Sequence, residues 1–294
     1  MKQKSTFIIS VVLAALLISL PLYSNEFTGQ TIKIVEFILD NGLPVFFIHD
    51  DSSAVTFIQI LLNGGKKAEP DGKEGLAYLA TRLMLEIPDQ GKVQTLMSQS
   101  TRLSMNCMAD FSQIEIACLT ENLDDTLKLA IELFSKPLFS GNRIDHLKTW
   151  MAQRKETQDD DSINIAHDAY ADYFFRGTSY SSSILGCEKS LKAIKTKDVK
   201  NFYEEYFRTG NLITTVSSDM EEDLILPIIK KHFLSLEKGS SPPCPEIVIS
   251  QPEKQDIFFE RDRKQSLVSI GYLLPQITPR NYALAVLLET LLGK

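Results

Sequence analysis

The residue types that carry most enzyme chemistry are present in this sequence, but they do not form a catalytic pattern. No G-x-S-x-G, P-loop or G-x-G-x-x-G motif occurs, so serine hydrolysis and nucleotide chemistry lack support. The run Asp159-Asp160-Asp161 is more typical of a solvated loop or helix end than of a divalent-ion site. The histidines share no metal-ligand spacing and are separated by predicted strands or whole helices, so each is expected to be an ordinary, partly exposed residue; they are His49, His146, His167 and His232.

The four cysteines are too few and too widely spaced for a disulfide scaffold. Cys107 and Cys118 fall in one predicted hairpin, where Cys107 would face a residue near position 113 and Cys118 would lie beyond disulfide reach. Cys187 and Cys244 fall in predicted loops. A bond between these two stays open, beside the simpler interpretation of four free or buried thiols.

The composition excludes several classes of protein. The chain has 294 residues, of which 44% are hydrophobic and 23% charged, as in folded globular proteins. Its net charge of −7 becomes −9 without residues 1–24, which contain two lysines and no acidic residue. No basic tract that could follow a phosphate backbone is present, so nucleic acid is not an expected partner.

Residues 1–24 have the pattern of a secretory signal peptide. Lys2 and Lys4 precede an apolar run from Phe7 to Leu20, and Pro21-Leu22-Tyr23-Ser24 follows as the expected exit segment. The alternative is an uncleaved anchor helix, but the apolar run is shorter than the roughly 20 residues that span a bilayer. We therefore expect an exported protein, periplasmic or extracellular, with no stable membrane span after cleavage.

The order of predicted elements indicates an α+β fold, because strands and helices mix without regular alternation. Asp40-Asn41-Gly42 predicts a hairpin turn, Asn122 and Asp125 a capping box, and Thr196 a helix N-cap. Hydrophobic periodicity predicts strands at 32–39, 43–50, 54–63, 101–108, 111–120 and 212–217, and helices at 74–85, 92–99, from 123 to about 133, and at 143–157, 163–175, 197–207 and 221–233.

The expected domain organisation has four parts. After the signal peptide, residues 30–236 form an α+β domain, and the Gly-, Ser- and Pro-rich residues 237–254 form a linker. Residues 255–294 predict two strands, at 256–261 and 267–274, and a helix after Thr278-Pro279. This order repeats the beginning of the first domain, so we expect the truncated start of a second, homologous domain.

From about residue 32 to the end, the sequence resembles the pitrilysin/insulinase family of inverted-zincin metallopeptidases. The resemblance implies homologous α+β domains, of the kind found in LuxS and processing peptidases, that close like a clamshell around an unfolded peptide. It also implies a zinc-binding H-x-x-E-H motif on the first helix. The similar motifs, in chain order, are Asn41-Gly42-Leu43, Gly64-Gly65, Glu69 with Gly75-Leu76-Ala77 (Glu-x-x-x-x-x-Gly-Leu-Ala), Glu121-Asn122-Leu123-Asp124, Arg176-Gly177, Tyr180 and Ile184-Leu185-Gly186.

The zinc motif itself is degenerate. Tyr78 and Arg82 stand where the resemblance places the two histidines, and Thr81 stands where it places the general base. Arginine has no lone pair for a cation, and threonine cannot act as a general base. The downstream carboxylate ligand falls at Gln153 or Arg154. We therefore expect neither a bound zinc cofactor nor catalytic residues at these positions.

Two further expectations concern charges near this motif. A shift of register would bring in Glu156, but one glutamate without the histidine pair leaves zinc short of its usual three protein ligands. The Arg82 guanidinium should have a carboxylate within reach, from Glu86 or Glu156, or else point to solvent.

The leading functional hypothesis is a non-catalytic homologue that helps to enclose unfolded peptides as the heterodimer partner of an active zinc peptidase subunit. On the family's pattern, the strand at 101–108 is an edge that accepts an extended peptide. One alternative is a zinc-dependent endopeptidase with misaligned or atypical ligands. The other is a non-functional gene fragment. The sequence names neither the peptide nor the partner.

Overall fold

The computed structural model describes residues 33–87, 89–243, 247, 256–260, 267–272 and 274–292. The predicted signal peptide, most of the linker and Cys244 lie outside the described residues, and so does the proposed Cys187–Cys244 bond. None of the described helices is long and apolar enough to cross a membrane.

The described strands form one mixed sheet in the order β1-β2-β6-β3-β5-β4. All neighbouring pairs are antiparallel except β2 and β6. Side chains of the central strands alternate between a buried and a more exposed face, as expected for a sheet covered on one side. The strands are β1 (Ile34–Ile38), β2 (Pro44–His49), β3 (Val55–Leu62), β4 (Arg102–Cys107), β5 (Ser112–Leu119) and β6 (Leu212–Ser218).

The helices enclose two connected cores. One core lies between the sheet and helices α3 and α8, and the other is centred on α1, which packs between α4 and α7. This arrangement confirms the predicted α+β class. The helices are α1 (Leu76–Met84), α2 (Gln90–Ser98), α3 (Leu123–Ser135), α4 (Gly141–Gln158), α5 (Ser162–Phe174), α6 (Glu188–Ala193), α7 (Thr196–Tyr206), α8 (Glu222–Phe233) and α9 (Tyr282–Leu292).

The turn between β1 and β2 forms as predicted. Gly42 has a φ of +86°, which glycine adopts without a steric penalty. The Asn41 side chain donates a hydrogen bond to the carbonyl of Phe233 at 2.8 Å, so the turn is also tied to the end of α8.

Neither predicted helix cap forms as expected. Asn122 is the N-cap residue of α3, but its side chain makes no capping hydrogen bond, so the predicted capping box is wrong; its amide donates to the Gln99 carbonyl. Thr196 is the first residue of α7, and Lys195 is its N-cap. The Asp198 carboxylate accepts a hydrogen bond from the Lys195 backbone N–H at 2.7 Å, which starts the helix one residue earlier than the threonine would.

The hairpin of β4 and β5 places the two buried cysteines apart. Cys107 lies opposite Ser112, one residue from the predicted partner, and Cys118 lies opposite Thr56 of β3. Both thiols are free, as is the exposed Cys187. Burial raises the pKa of Cys107 to about 12, so this thiol is an unreactive part of the core.

The strands predicted near the end of the chain are not observed in the described residues there. Residues 256–260 and 267–272 pair with no strand, and Phe258, Val268 and Ile270 are largely exposed. A strand needs a neighbour for its backbone hydrogen bonds, and none of the described strands lies beside these segments. The predicted helix forms as α9, with exposed leucines along it.

Candidate functional site

The positions that match the degenerate zinc motif lie on α1, beside a groove. The groove has a volume of about 410 Å³ and runs between α1, α2 and the edge strand β4. Most of its lining residues have apolar side chains, but its accessible surface is mixed, and Arg82 is the charged member. The lining residues are Tyr78, Arg82, Leu85, Ile87, Val93, Leu96, Met97, Thr101, Leu103, Ser104 and Met105.

Glu69 holds the N-terminus of α1. Its Oε1 accepts hydrogen bonds from the backbone N–H groups of Gly75 at 3.0 Å and Ala77 at 2.8 Å. Gly75 has a φ of +96°, and a Cβ there would lie 3.0 Å from the Leu185 carbonyl oxygen, so only glycine fits. These contacts fix the orientation of the helix that carries Tyr78.

Glu69 is also one of the few buried charged groups. It is 9% exposed, and its Oε2 has no hydrogen-bond partner among the described residues. Burial raises the pKa of Glu69 to about 8, although the two backbone N–H groups and the nearby Lys66 act in the opposite direction. Glu69 begins the Glu-x-x-x-x-x-Gly-Leu-Ala motif of the sequence, but sequence reasoning assigned it no role.

Lys66 links the same region to the loop before α6. Its ammonium group donates hydrogen bonds to the carbonyls of Tyr180 at 2.9 Å and Ser182 at 2.6 Å. Burial lowers the pKa of Lys66. Sequence reasoning missed this residue as well, and its contact with a loop more than 100 residues away leaves no local signal.

Tyr78 joins α1 to α4. Its ring stacks on Trp150, with ring centroids 6.2 Å apart and an interplanar angle of 14°. Burial raises the pKa of Tyr78, and the charges of Arg82 and Arg154 partly offset this effect. The structure therefore brings the predicted positions 78, 82 and 154 together.

Arg82 is paired with Glu86, one of the two predicted carboxylates. Arg82 Nη1 lies 3.1 Å from Glu86 Oε1, and Arg143 Nη1 lies 3.5 Å from Glu86 Oε2. The Arg82 and Glu86 side chains are 36% and 32% exposed, so solvent screens the pair.

Thr81, Gln153 and Glu156 do not contribute to the groove. Thr81 is fully buried and donates a hydrogen bond to the Ala77 carbonyl at 2.8 Å. It faces an apolar gap that Leu62 and Phe202 also line. Gln153 and Glu156 are exposed on α4. Of the two candidate positions on α4, Arg154 is the one whose charge reaches Tyr78.

This set of side chains does not suit zinc. A phenol, two guanidinium groups and a buried threonine hydroxyl offer no histidine, thiolate or carboxylate ligand. Among the described residues, no group of three histidine, cysteine or acidic side chains is close enough to hold a metal ion. No step of any reaction is therefore assigned to a metal here.

The remaining candidate residues have structural roles. Asp161 caps α5 by accepting a hydrogen bond from the Ile163 N–H, and Asp159 pairs with Lys155, so the acidic run is the predicted helix end. His146 and His167 are exposed, and His49 bonds to a backbone carbonyl. The prediction of a partly exposed histidine is wrong for His232, which is buried with Nε2 2.7 Å from Asp124 Oδ1.

Replacing Arg82 by alanine is expected to lower the free energy of unfolding by less than about 1 kcal/mol. The pair is screened by solvent, and Glu86 keeps its contact with Arg143. Chemical denaturation of Arg82→Ala and of the control Arg176→Ala, which removes another exposed i,i+4 pair, should give similar losses. A loss above 3 kcal/mol for Arg82→Ala alone would show that the pair stabilises the fold.

The chain is similar to a peptidase M16 inactive domain, to a non-peptidase homologue and to a zinc protease. A family model described as "Peptidase M16 inactive domain" matches residues 193–294. The chain is 22% identical over 233 residues to "Non-peptidase homolog YmxG" of Helicobacter pylori, covering 78% of this chain and 54% of that protein. It is 21% identical over 266 residues to "Zinc protease PqqE" of the same organism, covering 87% and 60%.

A solved structure has the same fold. The peptidase M16 inactive domain from Pseudomonas fluorescens superposes with a TM-score of 0.68 at 18% identity, over 76% of this chain and 54% of that one. The likeness confirms the α+β architecture and is consistent with one half of a clamshell. The chain spans only 54% and 60% of the length of the two curated relatives.

Proposed function

This chain is a pitrilysin-like protein, and on that premise we propose that it is a non-catalytic homologue of the M16 peptidases. The observation that carries the proposal is on helix α1, where Tyr78, Thr81 and Arg82 stand at the positions of the two histidine ligands and the general base of the zinc motif. The similarity to a protein named as a non-peptidase homologue and to an inactive-domain model supports the same conclusion.

The proposed role is to help an active zinc peptidase subunit enclose unfolded peptides, as the other chain of a heterodimer. A non-catalytic chain that keeps the fold and the groove retains a binding surface without the chemistry. The groove on α1 and the unpaired edge of β4 are the features that suit this role. With the signal-like residues 1–24, we place the pair in the periplasm or outside the cell.

The edge strand is the proposed peptide contact. On its outer side, β4 has no strand neighbour among the described residues, so its backbone groups there can pair with an extended chain. Leu103 and Met105 of β4 line the groove, so a peptide added to this edge would lie along an apolar surface.

We expect the purified protein to bind no stoichiometric zinc and to cleave no unfolded peptide by itself, because its donor set cannot hold and use the metal. Metal analysis after incubation with zinc, and digestion of a denatured, carboxymethylated protein, measure the two properties. PqqE of H. pylori, named as a zinc protease, is the positive control. One equivalent of tightly held zinc with chelator-sensitive cleavage would overturn the proposal and favour an atypical peptidase.

We also expect an unfolded peptide to protect the β4 backbone from hydrogen exchange. At a peptide concentration ten times the Kd, exchange of the newly paired amides should slow about tenfold. The matched control is β1, the opposite edge of the same sheet, where exchange should not change. Equal protection of both edges, or of neither, would contradict the assignment of β4 as the peptide contact.

A further inference from the structure

We propose that the surface formed by Tyr78, Arg82 and Arg154 binds a carboxylate of a peptide that lies along β4. This surface is called the Tyr–Arg face below. The inference rests on the proposed function, because it assumes that a peptide occupies the groove. It adds the chemical class of that peptide, which carries an acidic group beside an apolar one.

The placement of the Tyr–Arg face follows from two helical spacings. Tyr78 and Arg82 are four residues apart on α1, and Trp150 and Arg154 are four residues apart on α4, so each pair lies on one face of its helix. The stacking of Tyr78 on Trp150 brings these two faces together. Tyr78 and Arg82 therefore line the groove, and Arg154 lies on the adjoining face of α4, near enough for its charge to act on Tyr78.

The local charge is positive. The three arginines near the groove are Arg82, Arg143 and Arg154, and the acidic group facing them is Glu86, which gives a net charge of +2. Glu86 already contacts Arg82 and Arg143 with its two oxygens. No ion pair engages Arg154 within the part of the chain that the structure describes, and its side chain is exposed.

The other nearby charges do not cancel this excess. The Lys155 ammonium group forms ion pairs with Asp159 and with Asp168 of α5, so its charge is already balanced. On the sheet side, the Glu115 carboxylate accepts hydrogen bonds from Ser104 and Gln113, and Arg102 of β4 adds a further exposed positive charge.

Tyr78 supplies a neutral donor between the two cations. Its hydroxyl has no hydrogen-bond partner among the described residues, and its raised pKa keeps the proton on the oxygen at neutral pH. Arg82 uses one terminal nitrogen for Glu86, which leaves further N–H donors. Hydrogen bonds from cationic donors to a carboxylate are stronger than those between neutral groups.

The adjoining apolar lining selects the neighbouring side chain of the same peptide. Leu96, Leu103 and Met105 line the groove next to Tyr78. In an extended peptide, side chains two positions apart lie on one face, about 7 Å from each other. An acidic residue at the Tyr–Arg face would therefore place the residue two positions away against this apolar lining.

The test uses the single tryptophan, Trp150, as a fluorescent reporter stacked on Tyr78. The probes are three peptides built from serine, threonine and valine. The first has blocked ends, acetylated and amidated, and one central glutamate, and the second is the same blocked peptide with glutamine in place of that glutamate. The third is the glutamine peptide with a free C-terminal carboxylate. Binding to the full chain is measured at low and at high salt. The variant is Arg154→Gln. The matched control is Arg176→Gln, because Arg176 pairs with Asp172 and, unlike that of Arg154, its charge does not act on Tyr78.

We expect the glutamate peptide to bind about fivefold more tightly than the glutamine amide, a difference that high salt and Arg154→Gln abolish and Arg176→Gln preserves. Preference for the free-carboxylate probe over the glutamate probe would identify a peptide C-terminus as the natural source of the carboxylate. Equal binding of all three probes would overturn the inference and leave the peptide-binding function standing. Failure of every probe to bind would overturn both.

Discussion

Below pH 4.5, where Glu69 is protonated in both the folded and the unfolded chain, replacing it by alanine is expected to lower the free energy of unfolding by about 3–5 kcal/mol. The substitution removes the acceptor for the backbone N–H groups of Gly75 and Ala77, which lie in the buried start of α1. A buried donor without a partner costs about 1–3 kcal/mol, and the vacated side-chain volume adds to that. Urea denaturation followed by circular dichroism measures the loss. A loss below 1 kcal/mol would show that water or a rearranged backbone replaces the carboxylate.

Glu69→Gln is the matched control, and it separates hydrogen bonding from charge. The folded protein holds the proton on Glu69 more strongly than the unfolded chain does, because burial raises its pKa from 4.5 to about 8. The stability that this group contributes is therefore fully present below pH 4.5 and is lost as the pH rises through 8.

Between these pH values, the unfolding free energy of the wild type should fall by up to about 1.4 kcal/mol per pH unit relative to Glu69→Gln. The glutamine variant keeps an acceptor for α1 and cannot ionise. Denaturation of both proteins at several pH values gives the two slopes. Parallel pH profiles would mean that Glu69 is ionised in the folded protein throughout, with its charge balanced by Lys66.

Restoring the glutamate of the zinc motif is expected to damage the fold before it restores any chemistry. Thr81 is fully buried, hydrogen-bonded to the Ala77 carbonyl, and packed toward Leu62 and Phe202. Thr81→Glu would place a carboxylate in this apolar gap, at a cost of several kcal/mol. Thr81→Val keeps the shape of threonine and introduces no charge, so it should lower the free energy of unfolding by no more than about 2 kcal/mol. Thermal unfolding of the two variants provides the comparison.

The triple variant Tyr78→His, Thr81→Glu and Arg82→His should therefore be less stable than the wild type and should not cleave peptides. It still lacks a carboxylate at position 153 or 154. If it folds normally and shows zinc-dependent cleavage, then Glu156 or another acidic residue supplies the third ligand. In that case, the assignment of Arg154 to the Tyr–Arg face would need revision.

Most of the secondary structure could be predicted because it depends on local patterns. The apolar residues of α1 recur at helical spacing, and those of β3 and β5 alternate along each strand, so the elements and their order agree with the prediction. The errors lie where the local pattern depends on a distant partner. The Asn122 side chain bonds to Gln99, and the segments 256–260 and 267–272 have no neighbouring strand among the described ones.

The residues of the candidate site were also only partly predictable from the sequence. The sequence alone was enough to identify Tyr78, Thr81 and Arg82 as unsuited to zinc, because ligand chemistry depends on residue type. It left open whether Gln153 or Arg154 meets Tyr78 and whether Glu86 or Glu156 pairs with Arg82. It also gave no role to Glu69, although this residue begins the Glu-x-x-x-x-x-Gly-Leu-Ala motif. Only the packing of α4 against α1 and the hydrogen bonds at the start of α1 decided these points.

The physical reason lies in the range of the interactions. Periodicity, turn residues and ligand chemistry are properties of a few neighbouring residues, so the sequence determines the elements and what each side chain can bind. Which side chains meet depends on how helices and strands far apart in the chain pack together, and a rotation of one residue along α4 would exchange Gln153 for Arg154 near Tyr78. The charge of the groove, and with it the class of peptide that the groove could hold, was therefore decided by the tertiary structure.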